Sequence, residues 1–539
     1  MSRFKGRHAP NKLLRKFVFS MSAISMVTLS GAATAQVTGF MQSIAEAAAE
    51  DRDIAAFYRA NGYEDIFTGA DDAARRVALY RAFAKAGDHG LPTQRYHPDA
   101  LRAAFEGASS QRARGAAEVA AARMFLDYAR DLNTGVLEPG KVVDGIKRQV
   151  PRHDPVELLT AFAAAEPEAY LAGLVPDGHE YVRLQREMLR LQQVIAKDGW
   201  GRGVPGSSKL QPGDSGDRVI ALRDRLVRMG YLARTPDRNY GNALRAAVQQ
   251  FQIDHGLLAD GVTGPSTLEQ INTSAEQRLR SVLVAMERER WMNGPRGDRH
   301  VLVNITDFHA RIIDDGKETF RTRSVVGARN LDKRTPEFSD TMEHMVINPT
   351  WNVPRSIVAR DYLPNFKRNP NANSYLKLID ASGRVVPRDT IDFSEMTERN
   401  FPFDVKQPPG RRNALGLVKF MFPNRHNIYL HDTPDKHLFK RERRTYSSGC
   451  IRLNDPFDFA YAVLARQTND PKALFHSILD SGRETTVELE QHIPVHLIYR
   501  TAFTVAKGNV QYREDIYGRD ARLFDALQAA GVAMPALQG

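Results

Sequence analysis

The chain has 539 residues, 42% hydrophobic and 26% charged, with a formal net charge of +11 and a single cysteine. That length allows three or four domains with ample buried core, while one cysteine rules out an internal disulfide framework. Much of the positive charge is N-terminal: Arg3, Lys5, Arg7, Lys12, Arg15 and Lys16 all precede the first acid, Glu46, so the rest is only mildly basic and carries no signature of nucleic-acid binding.

Residues 1–35 read as a secretory signal peptide. The basic run ends at Lys16, Phe17–Gly31 is apolar with interspersed Ser and Thr, and Ala33-Thr34-Ala35 supplies a small-x-small cleavage pattern before Gln36. The apolar stretch is short and serine-diluted for a spanning helix. Export with cleavage is therefore expected, and a membrane would be met only through an uncleaved segment.

Residues 36–200 are rich in Ala, Arg, Leu and Glu and predict a helical scaffold domain with no visible chemistry. Helices are expected over Asp72–Ala86, Gly115–Asn133 and Arg183–Lys197. In the second, Val119, Ala122, Met124, Phe125, Tyr128 and Leu132 form the core face. The Gly/Pro/Ser stretch 199–208 reads as a linker. Residues 208–273 predict a bundle of three short helices. The first carries Val219, Leu222, Leu226 and Met229 and stops at Gly230. The second carries Leu244, Val248 and Phe251. The third follows the turn Asp260-Gly261-Val262-Thr263-Gly264 and is capped by Ser266 or Thr263.

Residues 274–297 hold a connecting helix with Leu279, Val282, Leu283 and Met286. From 298 to 522 the texture is mainly β. Strands are expected over His300–Ile305, Phe308–Asp314 and Lys317–Val326, with Asp315-Gly316 as a hairpin turn. Met345–Asn352, Ile428–His431, Val495–Phe503 and Asn509–Tyr512 are further strands, and Pro456–Arg466 and Asp520–Ala529 are helical. The polar, Asn-rich stretch Asp361–Phe403 is expected to be a lid or recognition insertion. Residues 523–539 are expected to be a C-terminal tail. The fold class is multidomain α+β.

The chemistry gathers at Tyr446-Ser447-Ser448-Gly449-Cys450-Ile451-Arg452, with His431 nineteen residues before the thiol. A nucleophilic cysteine needs a base to raise its thiolate fraction, and backbone N–H groups to receive the oxyanion. Gly449 lets a substrate approach the main chain closely. A buried, inert thiol is the bland alternative for Cys450, and a satisfied strand-end histidine for His431. Scattered histidines and one cysteine give no metal cluster, so neither metal nor cofactor is expected.

These residues resemble the YkuD-type L,D-transpeptidase motif: His431, a limited spacer, then Ser447-Ser448-Gly449-Cys450 with Arg452 close behind. Ser448 stands where the commoner form has His, as in the large YcbB-like Gram-negative subfamily. The resemblance extends to residues 36–200 as that subfamily's scaffold domain and to 208–273 as a peptidoglycan-binding domain of the PG_binding_1 type. It also covers Asn348–Pro354, the Pro409–Gly416 segment, and 361–403 as a capping subdomain. It implies a periplasmic enzyme acting on peptidoglycan stem peptides and glycan, with protein partners left open. Cys450 would attack the diaminopimelate carbonyl of a tetrapeptide stem, releasing D-Ala, and a second stem's amine would resolve the thioester into a 3→3 cross-link. His431 would be the base, oriented by the Asp432 carbonyl. The N–H groups of Gly449 and Cys450 would line the oxyanion site. Tyr429, Ser447, Ser448 and Trp351 would shape the cleft, although Trp351 and Trp291 also read as packing residues. Arg452 would hold its loop or meet a substrate carboxylate. Carbapenem acylation of the same thiol is implied.

Three functional readings follow: the transpeptidase, the same acyl-enzyme used as an L,D-carboxypeptidase or for wall-protein attachment, and a non-catalytic wall-binding scaffold. The cations of the His–Cys spacer (Lys436, Lys440, Arg441, Arg443 and Arg444) either attract stem carboxylates or form a solvated loop.

Overall fold

The computed structural model describes residues 38–534, so the expected signal segment lies outside the described residues. The chain is multidomain α+β: helical up to Trp291 and built on β-structure beyond it.

The N-terminal domain packs around the helix Gln111–Asn133. It begins earlier than the apolar spacing suggested because the Ser110 side chain accepts the Ala113 N–H and caps it there. Val119, Ala122, Phe125, Tyr128 and Leu132 enter the core as expected, and Met124 only packs against it. Glu118 on the same helix is fully buried. Its carboxylate accepts the N–H groups of Ile66, Phe67 and Thr68 and the Tyr58 hydroxyl. Without those donors, its burial would cost several kcal/mol, of order 2 or more per unpaired group.

The stretch expected as a linker is strapped down. Trp200 and Val204 are buried. The Asn272 amide bonds both the N–H and the carbonyl of Val204, and Arg225 donates to the carbonyls of Gly201, Ile271 and Thr273. The bundle helices are Asp217–Met229, Asn242–Asp254 and Pro265–Asn272. The third begins at Pro265 behind Gly264 and has no side-chain cap. Thr263 pairs its backbone with Leu210 and its hydroxyl with Tyr240, and so is not available as the expected cap.

The connecting helix Ala275–Trp291 opens with a reciprocal Ser274–Gln277 capping box. Its last turns carry Glu287, Arg288, Glu289 and Arg290, all buried. Arg288 donates to Glu337 and Asp520, and Arg519 also reaches Glu337. Glu287 accepts from Leu137 and Trp291. Arg290 pairs with Glu287 and donates to Tyr181.

The strands are β1 Arg299–Asn304, β2 His309–Asp314, β3 Lys317–Gly327, β4 Phe338–Ile347, β5 Trp351–Asn352, β6 Lys377–Ile379, β7 Asp404–Gln407, β8 Val418–Met421, β9 Leu430–His431, β10 Thr445–Ser447, β11 Ile451–Leu453, β12 Thr485–Ile498, β13 Ala502–Phe503 and β14 Gln511–Tyr512. The large sheet closes on itself in the order β2-β3-β11-β9-β8-β4-β12-β1, with β10 alongside the end of β3. Closure removes the free edges. The β1–β12 and β9–β11 pairs in this ring are parallel. Val303, Met345, Phe420, Leu430, Ile451, Leu453 and Leu497 form its core with Phe459 and Val463 of the helix Pro456–Leu464. The Asp315-Gly316 hairpin has φ of 49° and 74°, as a two-residue turn with both residues left-handed requires.

The strand expected over Met345–Asn352 breaks at Asn348, whose φ is 55°. Trp351 and Asn352 belong instead to a separate sheet, β5-β7-β6. This sheet and the helix Leu363–Arg368 surround a core of Trp351, Phe366, Leu378, Phe393, Phe401 and Val405. The insertion is thus a small cap with its own core. The expected tail from 523 is also corrected: helix Arg519–Ala529 buries Leu523, Phe524 and Leu527 against the connecting helix.

Arg288→Ala should cost about 3–5 kcal/mol in urea unfolding, because it strands the buried carboxylates of Glu337 and Asp520. The exposed Arg186→Ala should change stability by less than about 0.5 kcal/mol.

Candidate active site

The parallel pairing of β9 with β11 sets Leu430 opposite Ile451 and His431 opposite Arg452. Leu430, Ile451 and Leu453 turn into the barrel core. Strand alternation sends Tyr429, His431 and Arg452 the other way. Cys450 ends the preceding turn, and the Ile451 N–H donates to the Tyr429 carbonyl (3.1 Å), which brings the thiol beside Tyr429. One parallel ladder therefore assembles a cysteine, a histidine, a tyrosine and an arginine from two segments.

The turn is held from three sides. Ser447 Oγ donates to the Cys450 carbonyl (2.5 Å) and accepts the Gly449 N–H (3.1 Å). Thr335 Oγ1 donates to the Gly449 carbonyl (2.7 Å) and accepts the Gly327 N–H (2.9 Å). Gly449 has φ of 116°, and a Cβ there would sit 3.2 Å from Ile428 Cδ1. Only glycine tolerates that backbone comfortably. The Gly449 N–H is already used by Ser447, whereas no acceptor among the described residues meets the N–H groups of Ser448 and Cys450. Ser448 is exposed and Ser447 buried, so Ser447 shapes the turn from beneath.

Cys450 is half-buried, and its Sγ faces the Asn427 carbonyl at 3.4 Å. Asn427 has φ of 53°, in a turn fixed by Asn424, whose side chain bonds both the N–H and the carbonyl of Ile428. Burial pushes the thiol up to about 11, against the opposing pull of the Tyr429 main chain and hydroxyl and of Arg452. Burial and the neighbouring thiol together hold the Tyr429 hydroxyl well above its ordinary value. The Tyr429 side chain touches both the barrel core and the cap core.

His431 is 4% exposed. Its Nδ1 donates to the Asp432 carbonyl at 2.5 Å, which leaves Nε2 as the basic nitrogen. Burial, followed by repulsion from Arg452, drives the imidazole down to about 3, although the Asp432 and Leu415 carbonyls favour its charged form. No hydrogen bond among the described residues joins this ring to Sγ. The sequence reading had the imidazole lowering the thiol pKa. Burial instead holds the thiol and the imidazole both uncharged near neutral pH, raising the one and lowering the other.

Asp432 contributes more than its carbonyl. Its carboxylate accepts the Leu417 N–H, the Thr433 N–H and Lys436 Nζ. A Cβ on Gly416 (φ 62°) would fall 2.2 Å from Asp432 Oδ2, so that glycine makes room for the carboxylate. Arg452 pairs with Asp435 at 2.9 Å, and its buried Nε has no partner among the described residues. Three of the spacer cations are also structural: Lys436 holds Asp432, Arg443 pairs with Glu514, and Arg444 is buried against main-chain carbonyls. Trp351 is 8% exposed in the cap core with its ring against Tyr362, and Trp291 is 2% exposed; both are packing residues. Sequence reasoning passed over Asn427 and Thr335, which act through turn geometry and long-range contacts, and it read Lys436 only as one of the spacer cations. Gly416 lay within a quoted motif, but its role did not emerge.

Residues 298–487 match the "L,D-transpeptidase catalytic domain" family, YkuD. Residues 52–188 match "Scaffold domain", and 215–271 match "Putative peptidoglycan binding domain". A "Putative L,D-transpeptidase" of Haemophilus influenzae is 33% identical over 255 residues, covering 47% of this chain and 51% of that protein. The chain thus spans about half the length of this relative. A "Zinc D-Ala-D-Ala carboxypeptidase" of Streptomyces albus G is 41% identical over 69 residues, 12% of this chain and 26% of that one. The crystal structure of an L,D-transpeptidase (Yku) from Stackebrandtia nassauensis aligns with 55% of this chain and 97% of its own at 15% identity, with a TM-score of 0.22, too low to compare folds. The chain carries a YkuD-type L,D-transpeptidase catalytic domain behind a Scaffold domain and a peptidoglycan-binding domain.

Iodoacetamide alkylation of Cys450 should rise about tenfold per pH unit between roughly pH 7 and 9, because a thiol near 11 is protonated throughout. A plateau near neutrality would contradict that. Tyr429→Phe should slow alkylation by about threefold or more, since it removes a hydroxyl that favours the thiolate.

Proposed function

We propose that the protein is a peptidoglycan L,D-transpeptidase that works through a thioester on Cys450. The observation that carries this reading is the β9–β11 ladder, which sets the segments of His431 and Cys450 side by side next to two unoccupied backbone N–H groups. The matches to the catalytic and wall-binding families support the substrate class.

In this reading Sγ attacks the carbonyl of the diaminopimelate residue in a tetrapeptide stem. His431 Nε2 takes the thiol proton as the carbon–sulfur bond forms. The N–H groups of Cys450 and Ser448 receive the oxyanion. Collapse breaks the amide bond to D-Ala, which leaves with the proton from His431. The side-chain amine of a second stem then attacks the thioester, His431 takes its proton, and the thiol is restored with a 3→3 cross-link made. Neutrality of the imidazole before each attack follows from its burial. The protein would work in the periplasm, reached through the N-terminal segment.

Intact-mass analysis after carbapenem treatment should give one adduct on the wild type and none on Cys450→Ala. His431→Ala should label about 10²- to 10⁴-fold more slowly. Muropeptide analysis should then find 3→3 dimers. Tripeptide products alone would identify a carboxypeptidase, and a folded protein that takes no adduct would leave only the wall-binding scaffold.

A further inference from the structure

Two adjoining cavities of about 620 and 430 Å³ lie between the three-helix bundle and the barrel. Neither is lined by His431 or Cys450. Both are lined by Arg323, Arg441 and Arg444 from the barrel side and by Gly256, Leu257 and Ser266 from the bundle. The larger one also reaches Tyr446, which is 48% exposed and stands shortly before Cys450 in the chain.

The groove carries cationic groups that the protein leaves unmatched. Arg443 is paired with Glu514, Arg513 with Asp307, Arg321 with Glu318, and Arg311 with both Asp307 and Glu318. Among the described residues, Arg323, Arg441 and Arg444 form no ion pair. Arg323 donates only to the Phe439 carbonyl at 3.4 Å, and Arg444 donates to the carbonyls of Ser324, Phe308 and Arg441. Arg323 and Arg441 are exposed. Burial, with repulsion from Arg323 and Arg513, pushes Arg444 down to about 10. Glu442, also in the wall, is engaged by the Leu258 N–H at 2.7 Å.

The width of the groove is fixed. Asp254 of the bundle accepts from Asn509 and Gln511. A Cβ on Gly256 would fall 2.7 Å from the Arg513 side chain, so the two surfaces meet at van der Waals distance. Guanidinium forks at a set spacing match carboxylates better than diffuse charge does.

We infer that this groove is a second wall-binding subsite, in which Arg323 and Arg441 take the carboxylates of a peptidoglycan stem other than the one at the thiol. This rests on the peptidoglycan reading above. The bundle supplies one wall and the His–Cys spacer the other, with Tyr446 at the margin of the larger cavity.

The test is calorimetric titration of the full chain, with its thiol already acylated by a carbapenem, with a soluble uncross-linked disaccharide-tetrapeptide. Binding should persist. Arg323→Ala/Arg441→Ala should weaken it about tenfold or more, and the double Lys variant, which keeps the charge but loses the fork, should recover only part of that loss. A ligand with its stem carboxyls amidated should bind as weakly as the double Ala variant. Both arginines are exposed, so the thermal midpoint should not move. Equal affinity of wild type and the double Ala variant would overturn the inference. Displacement by inorganic phosphate at the same concentration as the stem would also overturn it, assigning the groove to phosphate polymers. Failure of the carbapenem to label would count against the transpeptidase reading alone, because arginine-dependent binding can still be read on Cys450→Ala.

Discussion

Four consecutive charges, Glu287-Arg288-Glu289-Arg290, are buried where the connecting helix passes between the scaffold domain, the barrel and the C-terminal helix. Together they face three neighbours. Glu287 and Arg290 serve the scaffold side through Leu137 and Tyr181. Arg288 holds Glu337 and Asp520. Glu289 pairs with Arg296 and Arg500. A buried ion pair need not be more stable than an apolar replacement, but a buried charge without its partner is strongly unfavourable. The three parts therefore satisfy these charges only when all are docked in one arrangement. Everything downstream inherits that arrangement, including the position of the barrel relative to the bundle.

Within the barrel the site depends on strand register rather than on a preformed ion pair. Burial acts oppositely on the two reactive groups, raising the thiol and lowering the imidazole, so both rest uncharged. A thiol kept protonated in this way is also less exposed to oxidation, which follows thiolate character. The parts that fix the geometry are backbone devices: the Ser447 hydroxyl under the turn, Thr335 bridging two glycines, and the Asp432 carboxylate pinning the loop at Leu417.

Much of this was legible in the sequence. The helices of the scaffold and bundle and the first hairpin follow from apolar spacing and Asp-Gly chemistry, and the His431 and Ser447–Arg452 motif points to the catalytic domain that the family match covers. The misses have physical causes. The buried charges Glu287–Arg290 have no local pattern that reveals their partners, most of which lie far away in the chain. The 199–208 stretch has linker composition, but its fastening depends on Asn272 and Arg225. Trp351 lies beside a conspicuous motif, yet the left-handed Asn348 turns it into the cap core. The contact of Ser447 Oγ with the Gly449 N–H is likewise invisible without the turn's conformation.

The strapped bundle has one more consequence. A binding module on a flexible tether presents its ligand at an effective concentration set by tether length. Here Asn272, Arg225, Asp254 and Leu258 fasten the bundle to its flanking chain and to the barrel. Anything it grips is held at one span from the thiol. A rigid bundle of this kind sets a fixed opening rather than a range of reach.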